Sequence, residues 1–272
     1  SMTNIFLFGS TTETGKFIKK NYAKYLKDGV IFTFSSNSKK EIFFDLRTSN
    51  YPKELFINED TIIISLAPIW LFVPFLVSFL KKTNHKKIKA ILITSSTSVL
   101  TKKYSWNKFD KQLYHKLNYW EDKLKEIMNF YNLNIILIRP TLIYGDLGTN
   151  SDKNLSLLVK LMRKSFFLPI PCETGLRQPL HFSQLASSLM KIAKNVLNKE
   201  AKFENILIYN IGGDEEFSYE RMLYKIKENF SKDDSIQYCK IIRIPSKLFL
   251  ILCLPILIFS PKTYEAIQRL KI

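Results

Sequence analysis

The chain has 272 residues, of which 46% are hydrophobic, and a formal net charge of +17 at pH 7. A chain of this length and apolar content can bury a large core, so it fits one domain, or one domain with a small C-terminal lobe. Its lysines are spread through every region and no basic motif with interleaved aromatics accompanies them, which argues against a nucleic-acid partner. We expect the positive surface to attract phosphorylated substrates and anionic lipid headgroups instead.

The cysteines and the apolar runs bear on compartment and topology. Cys172, Cys239 and Cys253 lie far apart without metal-ligand spacing, so we expect reduced thiols, no metal site and a cytoplasmic protein. The apolar run 62–80 is interrupted by two prolines, which predicts a buried strand, a turn and a helix. The apolar run 248–259 is shorter than the roughly 18 to 20 residues that a membrane-spanning helix needs.

Strand-like and helix-like patterns alternate along the chain. Short, continuously apolar runs rich in β-branched residues predict buried strands at 5–8, 30–34, 62–66, 90–94, 135–139 and 207–210. Helical patterns predict helices at 15–27, 111–131, 152–164, 182–197 and 219–230. This alternation predicts an α/β fold, a Rossmann-type doubly wound parallel sheet.

A glycine-containing turn follows the first predicted strand. Gly9 and Gly15 occupy the first and third positions of a GxxGxxG spacing, with Thr12 at the middle one. Glycines here allow the backbone to turn tightly and approach a pyrophosphate, which then sits on the N–H groups and positive dipole end of the next helix. The turn, including Ser10 and Thr11, therefore predicts a bound nicotinamide dinucleotide. The alternative is a tight strand–helix turn without a ligand.

The residues after the second predicted strand bear on which dinucleotide is bound. An NAD site normally has an acidic residue here for the ribose hydroxyls, but no acidic residue lies between Asp28 and Glu41. The polar groups that stand there instead suit a ribose 2′-phosphate better, so the cofactor is NADP or NAD, with NADP favoured. These residues are Ser35, Ser36, Asn37, Lys39 and Lys40.

Three further segments stand in a characteristic order. They are ITSSTSV at 93–99, RPTLIYG at 139–145 and GLRQPLH at 175–181. With the glycine turn, they resemble the extended short-chain dehydrogenase/reductase superfamily, in its NAD(P)-dependent nucleotide-sugar epimerase/dehydratase family. The likeness covers about residues 4–230. It implies that 1–165 form mainly the dinucleotide-binding core, and 166–272 mainly a small substrate lobe that includes returning core elements.

The resemblance also implies roles for single residues. Ser96 would polarise the hydroxyl or keto oxygen of the substrate, and Arg177 would contact the diphosphate of a nucleotide sugar. Thr97 and Thr141 would also line the substrate site. The remaining matched positions would contact the cofactor. The alternative interpretation is that these residues only pack at strand ends. They are Asp45, Leu46, Leu66, Ala67, Pro68, Thr94 and Pro140.

The acid/base residues of the family are a Tyr and a Lys four residues later on one helical face, where the Lys lowers the pKa of the Tyr. Tyr119 and Lys123 have this spacing, and the alternative is that they form a surface pair. Tyr114 is a further candidate for the tyrosine.

A second register weighs against that pair. The helix Glu of the family stands about eighteen residues before the Arg of the RPxxxYG segment, which matches Glu121 and Arg139. The Tyr and Lys positions of the family then coincide with Leu113 and Leu117. Leucines cannot perform the proton transfer.

Two functions therefore remain open. The resemblance implies an oxidoreductase or epimerase that moves a hydride between a nucleotide-activated sugar and the nicotinamide, in surface polysaccharide synthesis. The leucines favour a dinucleotide-binding protein of this fold that acts as a scaffold, sensor or assembly subunit. Either is compatible with a homodimer. A weaker third hypothesis is a nucleic-acid or lipid-surface protein, based on the net charge of +17.

The C-terminal segment 244–259 has two interpretations as well. Such residues normally bury against the sheet within the substrate lobe of the family. Apolar residues bordered by lysines, here Lys240, Lys247 and Lys262, are also typical of a peripheral membrane anchor on the inner face of a membrane.

Overall fold

The computed structural model describes residues 2–37, 39–95, 108–140, 143–144, 153–172, 176–177, 180–199, 203–212, 217–245, 247–249 and 251–253. The chain divides into two compact units. Unit 1 comprises residues 1–141 and 182–211, and unit 2 comprises residues 142–181 and 212–272. The division at residue 165 that the sequence suggested lies within unit 2.

The strands and helices follow the alternation expected from the sequence. In chain order the strands are β1 (Thr3–Phe8), β2 (Gly29–Ser35), β3 (Ile42–Phe43), β4 (Asp60–Ser65), β5 (Ile88–Thr94), β6 (Ile135–Pro140), β7 (Ile143–Tyr144), β8 (Phe167–Pro171), β9 (Leu176–Arg177), β10 (Leu180–His181), β11 (Leu207–Ile211), β12 (Phe217–Ser218) and β13 (Lys240–Ile244). The helices are α1 (Glu13–Asn21), α2 (Ile69–Leu80), α3 (Lys108–Tyr131), α4 (Lys153–Lys164), α5 (Phe182–Asn198) and α6 (Tyr219–Glu228).

Unit 1 is built on a seven-stranded sheet with the order β11-β6-β5-β4-β1-β2-β3. Every neighbouring pair in it is parallel, which confirms the predicted parallel sheet. The strand order reverses at β1, which has β2 on one side and β4 on the other. Ligands of such sheets bind beyond the carboxyl ends of the strands at this reversal, so the end of β1 is where a site is expected.

One face of the sheet packs against α2 and α3 through a cluster rich in phenylalanine. Phe8 stacks on Phe34, with ring centroids 5.0 Å apart, and also contacts Phe72 and Phe75 of α2 at 5.4 and 5.2 Å. Large aromatic side chains bury much apolar area each, which stabilises this layer. Strand β4 and helix α2, which the segment 66–68 connects, confirm the strand, turn and helix predicted for 62–80.

The opposite face of the sheet carries α1 and α5. Successive residues of a strand point to opposite faces, and Ile5, Leu7 and Ile64 are fully buried without belonging to the phenylalanine-rich cluster. Helices α1 and α5 contact each other, with the rings of Phe17 and Phe182 6.2 Å apart. Helices thus cover both faces, as in a doubly wound fold.

Helix α1 is shorter than the sequence predicted. It ends at Asn21 rather than at residue 27, and a 3₁₀ turn follows at Tyr22–Lys24. The side-chain amide of Asn21 donates to the Phe17 carbonyl at 2.9 Å. Asparagine side chains that bond the backbone in this way compete with helix continuation, which accounts for the early end.

Unit 2 consists of two-stranded pieces packed with helices. Strands β7 and β10 pair in parallel, as do β8 and β13, whereas β9 and β12 are antiparallel. Its core joins α4 and α6 to the 3₁₀ turn Ser235–Tyr238, and a two-pronged ion pair, Arg163 with Asp234 at 3.1 and 2.8 Å, links α4 to that turn. No helix in the described part of the chain is long and apolar enough to cross a membrane.

Candidate functional site

The turn between β1 and α1 lies at the reversal of the strand order, and its first glycine touches the neighbouring turn. Gly9 has φ +71, a conformation that side chains other than hydrogen strongly disfavour. A Cβ at Gly9 would lie 2.7 Å from the backbone nitrogen of Ala67 and 2.8 Å from the carbonyl carbon of Leu66. Only glycine therefore allows this turn to pack against the segment after β4.

The second glycine brings α1 against the same turn. A Cβ at Gly15 would lie 2.7 Å from the carbonyl oxygen of Ser10 and 2.8 Å from its carbonyl carbon. The first turn of α1 therefore starts directly above the loop that leads into it. These are the steric conditions under which a loop and a helix N-terminus approach a phosphate closely.

Thr12, at the middle position of the glycine spacing, caps α1. Its hydroxyl accepts from the Gly15 N–H at 3.0 Å and donates to the Gly9 carbonyl at 3.1 Å, so it holds the turn closed. Within the described ranges, the N–H groups of Glu13 and Thr14 make no hydrogen bond. Two donors at the positive end of α1 thus remain for an anionic ligand.

Ser10 and Thr11 complete the turn. Ser10 is fully buried, and its hydroxyl donates to the carbonyl of Phe34 at 3.1 Å. This bond ties the turn to the end of β2. The Ser10 hydroxyl is thus used within the fold. Thr11 is half-buried.

The polar groups predicted to meet a ribose phosphate stand at the carboxyl end of β2. Ser35 is buried and accepts from the Asn37 N–H at 3.0 Å, while Ser36, Asn37, Lys39 and Lys40 are exposed. The nearest acidic residue, Glu41, accepts a hydrogen bond from Thr33 and pairs with Lys19 at 3.2 Å. The Glu41 carboxylate is therefore already bound by Thr33 and Lys19.

Asp45 follows β3, and its carboxylate forms an ion pair with Arg47. The guanidinium donates to both oxygens, at 3.1 and 3.2 Å, and the Arg47 N–H donates to one of them at 2.9 Å. These bonds hold the pKa of Asp45 below its ordinary value. Leu46 is partly buried against the phenylalanine-rich cluster. Asp45 thus presents an ionised acceptor beside the end of β2.

The ends of β4, β5 and β6 place the other predicted cofactor contacts. The Leu66 N–H donates to the Phe8 carbonyl at 2.9 Å, Ala67 is buried, and Pro68 precedes α2. The Thr94 hydroxyl donates to the Ser65 carbonyl at 3.1 Å. Pro140 ends β6 and is buried.

Two serine hydroxyls at this edge lack partners. The Oγ atoms of Ser65 and Ser95 are buried and make no hydrogen bond in the structure as described. Ser65 ends β4 next to Phe8 in register, and Ser95 directly follows β5. An unsatisfied buried hydroxyl costs about 1 to 3 kcal/mol, so both hydroxyls are suited to bond a polar group of a ligand at this edge. Neither serine stands out in the sequence, because a serine at a strand end carries no signal of its own.

Helix α3 has a register set by a buried ion pair. Arg139 donates to both carboxylate oxygens of Glu121, from Nε at 3.2 Å and from Nη2 at 2.6 Å, and both side chains are mostly buried. Glu121 and Arg139 are the two residues that the eighteen-residue spacing of the family matches. In this register Leu117 is buried, and Leu113 packs partly buried against the phenylalanine-rich cluster.

The Tyr119 and Lys123 side chains lie elsewhere on α3. Tyr119 is 61% exposed, whereas Leu117 is only 2% exposed. Lys123 pairs with Glu126 at 2.9 Å, and this hydrogen bond raises the pKa of Lys123. The arrangement favours the surface-pair alternative. Tyr114 is half-buried against the core cluster, and a role for any of these side chains in chemistry stays a prediction.

The predicted substrate contacts are described only in part. Ser96, Thr97 and Thr141 lie outside the described residues, as does the side chain of Arg177. The Arg177 backbone belongs to β9, which pairs with β12. His181, four residues later, is half-buried, and burial lowers its pKa.

No family model and no curated protein matches the sequence. Solved structures, however, match over most of the chain. GDP-mannoheptose C4 reductase from Campylobacter jejuni, with NADP bound, is 13% identical, covers 90% of this chain and 88% of its own, and has a TM-score of 0.61.

Two further structures agree. A GDP-L-fucose synthetase from Naegleria fowleri, bound to NADP, is 17% identical over 99% of this chain and 91% of its own, with a TM-score of 0.61. UDP-glucose 4-epimerase from Thermus thermophilus, in complex with NAD, is 14% identical. The match covers 98% of this chain and 97% of the epimerase chain, with a TM-score of 0.58. The chain therefore has the fold that these three enzymes share.

Proposed function

We propose that the chain binds NADP or NAD, with a preference for NADP, and acts as an oxidoreductase or epimerase on a nucleotide-activated sugar. The observation that carries this proposal is the turn at Gly9, which only glycine permits and which leaves two N–H donors of α1 for a pyrophosphate. The names of the three matching structures, each solved with NADP or NAD, support the cofactor class and the substrate class.

The residues at the strand ends fit such a cofactor. The N–H groups of Glu13 and Thr14 would bind the pyrophosphate, and the exposed groups after β2 would bind the adenosine ribose and its phosphate. Asp45 would accept from the adenine, and the orphan hydroxyls of Ser65 and Ser95 gain partners when the edge is filled. The nicotinamide, when bound, takes up or gives back a hydride.

The chain also supplies groups that would bind the nucleotide sugar and polarise its reacting oxygen. Ser96 would hold the sugar hydroxyl or keto oxygen that changes oxidation state, and Arg177 would neutralise the diphosphate. Thr97 and Thr141 would also contact the substrate. These roles derive from the resemblance of their segments.

The cofactor preference has a direct test. In fluorescence titrations we expect NADPH to bind with micromolar affinity and at least tenfold more tightly than NADH. Lys39→Gln should weaken NADPH binding by about tenfold and leave NADH unchanged, because one charge-assisted bond to a phosphate is worth about 1.4 kcal/mol or more. Lys24→Gln, an exposed lysine after α1, is the matched control and should change neither affinity. A tenfold preference for NADH would contradict the NADP assignment, and no binding of either nucleotide at millimolar concentration would remove the proposal.

A second candidate function is favoured by one observation. The buried Glu121–Arg139 pair sets the register of α3 so that Leu113 and Leu117 occupy the positions where the family has its Tyr and Lys. A protein of this kind binds the dinucleotide but does not turn over a sugar, and acts as a scaffold, sensor or assembly subunit. Cofactor binding without turnover of any UDP-, GDP- or dTDP-sugar distinguishes it from the enzyme.

For the enzyme, Ser96→Ala should lower turnover by about 10²-fold or more, the scale of a lost acid/base partner. Tyr119→Phe and Tyr114→Phe, assayed in parallel by NMR of the sugar-nucleotide products, show which tyrosine takes part. Tyr238→Phe is the control, since Tyr238 is an exposed tyrosine of unit 2. Full activity of both Tyr119→Phe and Tyr114→Phe would contradict a mechanism based on these tyrosines.

A further inference from the structure

Unit 2 exposes large apolar side chains in two neighbouring stretches. The first is the strand pair β8 and β13, where Phe167 and Ile242 are exposed, and Phe166, directly before β8, is 85% exposed. Phe167 and Pro169 share one face of β8, and Pro169 is the register partner of Ile242. Phe167 and Ile242 therefore belong to the same face of the strand pair.

The opposite face of this strand pair already serves the core of unit 2. Ile170 is fully buried there, and Leu168 and Ile241 are partly buried against the same cluster. The exposed face is thus a second apolar surface of two short strands, beyond what the core of the unit uses. Apolar surface of this kind on a folded protein marks a contact with another surface.

The second stretch directly follows β13. Residues 247–249 and 251–253 are helical, and the Phe249 N–H donates to the Pro245 carbonyl at 2.9 Å. Phe249 and Cys253 are buried, so this side of the helix faces the protein. Its outer side is also apolar, with Leu248, Leu252 and Ile251, the last 61% exposed. A surface helix normally presents polar residues outward, so this one has an unused apolar face.

Lysines border both stretches. Lys164 precedes β8, Lys240 is the register partner of Phe167, and Lys247 begins the helical segment. All three are exposed, and within the described residues none forms an ion pair. An interfacial membrane contact has two features. Its apolar side chains insert at the level of the headgroups, and its cations bind anionic headgroups beside them.

We propose that this face of unit 2 binds the surface of an anionic lipid bilayer. It comprises Phe167, Ile242, Leu248, Ile251 and Leu252, with Lys164, Lys240 and Lys247 at its border, and we call it the apolar–lysine face. Charge complementarity favours lipid over a second copy of the chain. A symmetric contact would bring the lysines of two copies together, in a protein whose net charge is already +17.

The test is cosedimentation of the full chain with vesicles. We expect binding to vesicles of phosphatidylcholine mixed with phosphatidylglycerol, little binding to phosphatidylcholine alone, and weaker binding at high salt. The double variants Phe167→Ser/Ile251→Ser and Lys240→Glu/Lys247→Glu should each reduce the bound fraction by about tenfold or more. The matched controls lie in unit 1: Phe130→Ser removes an aromatic side chain that is 81% exposed, and Lys86→Glu reverses an exposed lysine. Both controls should bind as the unchanged protein does.

The outcomes are separable from the proposed function. Loss of vesicle binding in the two double variants, with NADPH titration and thermal melting unchanged, supports the proposal. It is overturned if the unchanged protein stays in the supernatant with both vesicle types, or if the control variants lose as much binding as the double variants. Self-association in sedimentation velocity that the double variants abolish, without vesicle binding, would assign the apolar–lysine face to a second copy and overturn it too.

Discussion

Gly9→Ala is expected to weaken NADPH binding by about 100-fold or more. Alanine at φ +71 costs roughly 1 to 2 kcal/mol, and its Cβ would stand 2.7 Å from the backbone nitrogen of Ala67, which cannot yield as a side chain does. The turn must move away from β4, so the N–H donors of α1 shift from the pyrophosphate. A loss of about 2.7 kcal/mol in binding corresponds to that 100-fold change. Fluorescence titration and thermal melting measure the two effects.

Gly29→Ala provides the control. Its Cβ would meet the Ile5 Cδ1 atom and the Leu26 carbonyl oxygen at 3.1 Å, so it introduces crowding of a milder kind. Gly29 begins β2, at the end of the sheet opposite the site. We expect a lower melting temperature with the NADPH affinity within about twofold of the original. An unchanged affinity in Gly9→Ala would show that the turn does not hold the cofactor.

Glu121→Gln is expected to lower the free energy of unfolding by about 3 to 5 kcal/mol, because it leaves the mostly buried Arg139 guanidinium without its charged partner. Chemical denaturation measures the loss. The control on the same helix is Glu126→Gln, which breaks the exposed pair with Lys123 and should change stability little.

A double-mutant cycle sharpens this prediction. Arg139→Met removes the other charge, and the double variant Glu121→Gln/Arg139→Met should recover much of the loss, since no isolated charge then stays buried. Additive losses of both single variants would contradict a coupled pair. If the ion pair does not set the register of α3, nothing places Leu113 and Leu117 at the positions where the family has its Tyr and Lys.

The fold was predictable because its strands are covered on both faces. Continuous apolar runs such as 62–66 and 135–139 occur where helices pack on each side of a parallel sheet, and β4 and β6 lie there. The register of Glu121 relative to Arg139 came from the resemblance to the family rather than from a local pattern, and the structure shows that the two side chains pair.

The end of α1 was less predictable. Apolar periodicity continues past Asn21, but a side-chain bond to Phe17 ends the helix there. Similarly, the i, i+4 spacing of Tyr119 and Lys123 specifies only that the two share a helical face. Which face of α3 packs on the sheet depends on every apolar residue of the helix together, and that face contains Leu117.

By itself, the sequence determined the parallel α/β architecture and the place of a glycine turn after the first strand, since both follow from local patterns of apolar residues and glycine. Only the structure decided how Gly9 meets Ala67, that the Thr12 hydroxyl caps α1, and that the Ser65 and Ser95 hydroxyls lack partners among the described residues. The contact of Gly9 and the surroundings of the two serines depend on atoms brought together from strands distant in the chain, whereas the Thr12 cap is local and depends on how the turn closes. A steric limit or an unmet hydrogen bond exists only once those strands are side by side.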